Sequence, residues 1–279
     1  MRLLAISDIH NNLVAVRRMR ACESNSFDAI VVAGDLGNAG APQLLDILAS
    51  FKCPVMYVYG NWDHALDYVN APYSDFHLIH LNVITIDGVH FSGFSGCPSQ
   101  WGRNPIAAKL ADAPEARERA LQLNRQALRK ALARSNVDPR KTIIVTHERL
   151  ARLSDVAPHA LLHVFGHIHG FAETAIKDTR FVNVSVLDRQ VTARPRDKRR
   201  CSEADYRNFN AGNYVKIEIR RDELTVRSIT LPHDYRRWIP LDEVRINGIA
   251  WIDEEREWLL ASDPRLTRSS VSPPAQSSC

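Results

Sequence analysis

No Cys-x-x-Cys pair occurs in this chain, and its five cysteines are scattered at Cys22, Cys53, Cys97, Cys201 and Cys279. That excludes a zinc ribbon, and with the odd count it points to a reducing compartment. Long apolar runs are missing too. The stretch Leu3–Ile6 reaches Asp8 almost at once, too short for a signal peptide or a membrane span, so a cytoplasmic protein with no membrane partner is expected. Strong charge of one sign is lacking: the formal net charge is +4, too little by itself to argue for nucleic acid. No internal repeat of fixed period is present. What remains is 279 residues with 45% hydrophobic and 24% charged content, enough for one large domain or two small ones.

The first half alternates strand-like and helix-like segments. Leu3–Ile6, Ala29–Ala33 and Val55–Tyr59 are short apolar runs. Asn11 or Asn12 caps a helix carrying Leu13, Val16 and Met19 on one face, and Pro42 opens another through Leu44, Leu45 and Leu48. This order predicts strands covered by helices. Asp87-Gly88 between apolar runs predicts a hairpin. Ser95–Pro114 reads as a long loop, with Trp101 and Arg103 as candidate lid residues. Ala116–Arg134 reads as an amphipathic helix with Leu121, Leu128 and Leu132 on one face. Further strands are expected at Thr142–Val145, Leu161–Phe165, Phe181–Val186, Tyr214–Ile219 and Leu224–Ile229.

Five polar motifs punctuate these strands: Asp8-Ile9-His10, Gly34-Asp35, Gly60-Asn61-Trp62-Asp63, Thr146-His147 and Gly166-His167-Ile168-His169. Each falls just after a strand, where open α/β sheets bind ligands. Carboxylate, amide and imidazole together suit a pair of first-row transition metals. Asp8 and His10 are expected on one side of an extended segment, as are His167 and His169, because strand side chains alternate with period two. Asp35 can bridge two cations, and Asn61 adds a neutral oxygen. Two cations about 3.5–4 Å apart clamp an in-line displacement at phosphorus and acidify a water between them. Gly34, Gly60 and Gly166 each precede a ligand, where tight turns or positive φ are expected.

The pattern resembles the calcineurin-like metallophosphoesterases, whose motifs run D-x-H, G-D, G-N-H-[DE], a lone H and G-H-x-H. Here they read DIH, GD, GNWD, TH and GHIH, over roughly residues 1–190. The resemblance implies an α/β fold, a four-layer αββα sandwich with an extra C-terminal segment. It also implies a dinuclear centre of Mn, Fe, Zn or related ions. Asp8, His10, Asp35 and His169 would hold one metal, and Asp35, Asn61, His147 and His167 the other. The catalytic set is then Asp35, Asn61 and Asp63, with Asp63 bracing its turn.

One departure from that family matters for chemistry. Trp62 stands where a histidine usually protonates the leaving oxygen. An indole N–H donates a hydrogen bond and cannot shuttle a proton. General-acid help is worth about 10²–10⁴-fold, so alkyl monoesters are expected to be poor substrates and diesters or pyrophosphates better ones. The family includes such diesterases, of the class III type. Trp62 could stack on a base or aryl group, or fill space. His64 is a candidate substitute acid, and Arg149 a candidate fork for a substrate phosphate. Two smaller departures remove no ligand: Asn11 replaces a common glycine, and Val182-Asn183-Val184-Ser185 replaces Asn-Pro-Gly-Ser.

His77, His80, His90, His159, His163 and His233 are read as ordinary surface or core histidines. The basic run Arg194–Arg200 reads as a solvated loop, with a phosphate or nucleic-acid clamp as the alternative. Domain boundaries are expected at 1–232 for the phosphoesterase domain, 233–261 for a packed extension carrying Trp238, Trp251 and Trp258, and 262–279 for a disordered tail. The expected substrate is a phosphorylated small molecule or nucleotide. A scaffold that lost catalysis, or a nuclease, are the alternatives.

Overall fold

Leu3, Leu4, Ala5 and Ile6 are wholly buried, as is every residue of Ala29–Ala33. Continuous apolar runs of this kind suit strands covered on both faces. In the computed structural model they form β1 (Arg2–Ile6) and β2 (Ala29–Ala33), parallel neighbours in one sheet. The structure describes residues 1–23, 27–37, 41–63, 73–96, 114–184, 186–188, 190–193, 206–210, 212–220, 223–231 and 237–240. Segment 97–113, run 194–200, His64, His233, Trp251, Trp258 and the tail lie outside the described residues.

Crossovers through α1 (Leu13–Cys22) and α2 (Ala41–Ala49) lead on to β3 (Val55–Val58) and β4 (Phe76–Leu78), also parallel. Asn12 caps α1, its side chain accepting from Ala15 N at 2.9 Å, which decides between the two candidate asparagines. On the other side of β1 a hairpin, β13 (Asn213–Arg220) and β14 (Glu223–Thr230), completes the order β14-β13-β1-β2-β3-β4.

The second sheet runs β5-β6-β7-β8-β10-β9, from β5 (Ile84–Ile86), β6 (Val89–Phe94), β7 (Thr142–Thr146), β8 (Leu162–Phe165), β9 (Ala172–Ile176) and β10 (Thr179–Asn183). The expected hairpin turns at Asp87 and Gly88, with φ of 47° and 75°. The helix α3 (Pro114–Arg134) packs on this sheet through Leu128, with Leu121 and Leu132 beside it. A third, antiparallel sheet joins β11 (Gln190–Ala193), β12 (Tyr206–Asn210) and β15 (Arg237–Pro240).

Period-two alternation sorts the core into layers. Leu3, Ala5, Val31, Met56, Ile143, Val145 and Val164 fill the space between the two large sheets. Leu4, Ile6, Ile30 and Val32 face α1 and α2, while Ile144, Phe165 and Phe181 face α3. The result is the four-layer αββα sandwich. Each fully buried side chain of this size contributes about 1.5–3 kcal/mol. Tyr214 donates to Glu23 at 2.5 Å and Lys216 pairs with the same carboxylate at 2.6 Å, tying the end of α1 to β13. Among the described residues no helix is long and apolar enough to cross a membrane.

Candidate metal centre

The polar motifs sit beyond strand ends, as expected, but their local geometry differs from the expectation. Asp8 and His10 do not lie on an extended segment. The strand stops at Ile6, and Asp8, His10 and Asn11 take left-handed φ of 52°, 51° and 64°. His167 does the same at 68°. Backbone bonds from Asp8 N to Gly34 O and from Ile9 N and His10 N to Asp35 O hold the first turn against the second. The two motifs are thus aimed by turns locked to each other rather than by strand pleat. Left-handed backbone at non-glycine positions costs energy and persists where surrounding structure enforces it.

The glycines divide by role. Gly34 has φ +87°. Gly60 and Gly166 lie outside the positive-φ region and instead give room: a Cβ at Gly60 would lie 2.0 Å from Asp35 Oδ1, and one at Gly166 would lie 1.8 Å from Ser7 Oγ.

Seven side chains meet here. Asp35 Oδ2 lies 3.3 Å from His10 Nε2 and 3.2 Å from His147 Nε2, between the two rings. His147 Nε2 is also 3.0 Å from Asn61 Oδ1. Asp8 Oδ1 is 3.2 Å from His169 Nε2. The ring of His167 is 5.1 Å from that of His147, and the ring of His169 is 5.2 Å from that of His10. Ligand atoms of Asp8, His10 and His169 lie within 4.8 Å of one another, as do those of Asp8, Asp35 and His147.

Each carboxylate is fixed by one oxygen and turns the other toward the histidines. Asp8 Oδ2 accepts from Ser7 Oγ at 2.6 Å and His167 N at 3.0 Å, while buried Oδ1 makes no hydrogen bond. Asp35 Oδ1 accepts from Trp62 N at 2.8 Å. His147 Nδ1 must donate to Ala33 O, 2.8 Å away, because a carbonyl only accepts. The lone pair of a neutral His147 then points at two oxygens. Such converging lone pairs need a cation among them, a proton or a metal, so the residues fit a divalent ion.

Electrostatics agree. Burial opposes charge at Asp8, His10, Asp35 and His147, yet there the neighbours prevail; at His167 burial, then the His147 charge, keep the ring below its ordinary value. His147 and His10 hold the Asp35 carboxyl well below the usual carboxylate range, and His169 and His147 lower that of Asp8. Against burial, Asp188 and Asp35 raise His10 to about 10, and Asp35 and Asp8 raise His147 to about 9. The cluster gathers positive charge around its carboxylates.

Asp63 is wholly buried. Its Oδ2 accepts from Gly60 N at 2.7 Å and Asp35 N at 3.0 Å, and Oδ1 accepts from Gly37 N at 2.9 Å. It braces two motif turns at once. The rings of Trp62 and His10 meet in a T-shaped arrangement, centroids 5.1 Å apart. His64 lies outside the described residues. Arg149 is not with the cluster. Its guanidinium lies over Phe181, 5.1 Å from the ring centroid, on the α3 side of the second sheet. The fork expected to meet a substrate phosphate thus rests on an apolar ring, and among the described residues no ion pair ties it to an acid of the cluster.

Residues outside the motifs support the cluster. Asp188 Oδ2 faces His10 Nδ1 at 3.7 Å, its Oδ1 accepts from Asn12 Nδ2 at 2.6 Å, and its backbone N donates to Asp8 O. Asn183 Nδ2 donates to Ile168 O at 2.7 Å and fixes the last turn. Sequence reading noticed Asn183 only as a departure and passed over Asp188, which no spacing signal marks.

The model of the calcineurin-like phosphoesterase superfamily domain matches residues 1–197. Among solved structures, TT1561 of Thermus thermophilus is 15% identical with a TM-score of 0.54, over 83% of this chain and 99% of that one. GAP50, the anchor in the inner membrane complex of Plasmodium, is 10% identical with a TM-score of 0.51, over 86% and 88%. These likenesses are of fold. No curated protein matches.

Proposed function

Because this chain belongs to the calcineurin-like phosphoesterase superfamily, we propose that it is a dinuclear metal-dependent hydrolase of a phosphodiester or nucleotide pyrophosphate. The observation that carries the reading is Asp35 Oδ2 standing between His10 Nε2 and His147 Nε2. Asp8, His10, Asp35 and His169 would hold one divalent ion, and Asp35, Asn61, His147 and His167 the other, with Asp35 shared. When bound, such a pair supplies Lewis-acid polarisation of the phosphoryl oxygens and an acidified water.

The protein groups supply placement. Ser7 and His167 N hold Asp8 by one oxygen, and Trp62 N does the same for Asp35, so each carboxylate is aimed before any ion arrives. Ala33 O fixes the His147 tautomer. Asp63 keeps the Gly34–Asp35 and Gly60–Asn61 turns in register. Trp62 offers no proton to a leaving group, which favours esters whose leaving oxygen needs none. Its ring, half-buried beside His10, offers a face to a base or aryl group. Purified protein with Mn²⁺ is expected to cleave bis-p-nitrophenyl phosphate, and Asp35→Ala to abolish this. Full activity in Asp35→Ala protein contradicts the mechanism.

A second reading rests on Trp62 alone: a metal-binding scaffold with the fold and without turnover. Plasmodium GAP50, of the same fold, is an anchor. Stoichiometric metal with no turnover on a broad panel of mono- and diesters, pyrophosphates, DNA and RNA would favour it.

A further inference from the structure

On the α3 side of the second sheet a cavity of about 490 Å³ opens between the segment after β7 and the β9–β10 turn. Its size falls within the range of about 300–1,000 Å³ usual for small-molecule sites. Leu153 and Phe181 are buried side chains in its wall, and Ile176 adds exposed apolar surface. Arg149, Arg152 and Lys177 also line it, and among the described residues none of the three pairs with a carboxylate. The acid in the lining, Asp178, is taken by His159 at 2.7 Å. The cavity is thus apolar within and rimmed by three cations against one acid, which faces His159 and none of the three.

It is also held open. Arg125 of α3 donates to the carbonyls of Ala151 and Arg152 at 2.5 and 3.1 Å, pinning one side. The His159–Asp178 pair joins the other two segments. A cavity fixed before binding spares a ligand the cost of ordering its walls. Phe181 already carries the Arg149 guanidinium on its ring, so an anion seated there meets a fork whose stem and plane are held.

We propose that this cavity is a second ligand site, separate from the metal cluster, for a small amphipathic anion: a flat apolar body bearing one carboxylate, sulfonate or phosphate. The apolar body lies against Leu153 and Phe181, and the anionic group meets Arg149, Arg152 and Lys177. The assignment stands whether or not the metal cluster hydrolyses phosphoesters, since it uses none of its residues.

The test uses the full chain and 8-anilinonaphthalene-1-sulfonate as probe, titrated by fluorescence and calorimetry. Saturable one-to-one binding is expected. It should weaken at least about tenfold in Arg152→Glu/Lys177→Glu protein and with rising salt. Ser154→Trp, which plugs the cavity without changing charge, should abolish it. Asp35→Ala should leave it unchanged. Inorganic phosphate should compete weakly, because it lacks the apolar body. Probe binding that is absent, or that survives both the charge reversal and the plug, overturns the proposal. Loss on Asp35→Ala would place the probe in the metal cluster and overturn it equally.

Discussion

The Asp188 carboxylate faces the Nδ1 edge of His10 at 3.7 Å, while its other oxygen accepts from Asn12 at 2.6 Å. One residue thereby links the cap of the first helix to a ring whose Nε2 points at Asp35. At that distance the carboxylate acts on the ring through its charge, and it raises the basicity of His10.

Asp188→Ala is therefore expected to weaken Mn²⁺ or Zn²⁺ binding by about 10–100-fold in calorimetric titration. Asp188→Asn, which can still meet Asn12 but has lost the charge, should fall between. Unchanged affinity in both would reduce Asp188 to a packing role.

Trp62→His restores a side chain able to donate a proton beside the cluster. Turnover of an alkyl phosphate monoester should rise by about tenfold or more, within the reach of general-acid catalysis. Activity on an aryl diester should change little, since its leaving group needs less help. A uniform loss on both substrates would show that the indole holds substrate instead.

His163 gives a pH dependence that does not involve the metal cluster. Its Nε2 lies 2.9 Å from Thr146 Oγ1. Thr146 spends its own proton on Glu148 O at 2.6 Å, so Nε2 must be the donor, and buried Nδ1 has no partner. Burial, then the nearby Arg149 charge, push this histidine from its ordinary 6.5 down to about 3. The unfolded chain therefore takes up the proton first. Stability from this group is intact above about pH 6.5 and is lost as pH falls from there toward 3, with a slope of up to about 1.4 kcal/mol per unit. Urea unfolding between pH 7 and 4 should show a shallower decline in His163→Gln protein. An unaltered slope would mean that His163 already carries its charge when folded.

Most of the sandwich could be read from the chain because its signals are local. Ala29–Ala33 is apolar throughout, and Asp87-Gly88 names its own turn. Five strands beyond those readings lacked such signals. Phe76–Leu78 is only three residues long, and Ala172–Ile176 is exposed along its whole length, so neither shows an alternating face. Gln190–Ala193 and Tyr206–Asn210, which flank the basic run, and Arg237–Pro240 were not anticipated either. Asn124 interrupts the stripe of Leu121 and Leu128 yet is fully buried, a placement that helical spacing permits and polarity argues against. In the cluster, the identities of Asp8, His10, Asp35, Asn61, His147, His167 and His169 were legible because five short motifs corroborate one another. How they are aimed was not, because left-handed φ at Asp8, His10 and His167 is imposed by contacts between distant turns. Arg149 shows the same limit: nearness to His147 in sequence says nothing about which side of β7 the next turn will take.

The donors reach the cluster from two different sheets. Asp8, His10, Asp35 and Asn61 follow strands of the first sheet, while His147, His167 and His169 follow strands of the second. Between the sheets runs an oil-like seam of Leu3, Val31, Ile143 and Val164, and bonds cross it at the margins, His80 bridging to Gly93 and Gly96 N donating to Tyr59 O. A divalent ion at the cluster would be one more clasp at one end of this two-sheet book, beside the bonds already there, and a chelator is expected to ease the two covers apart.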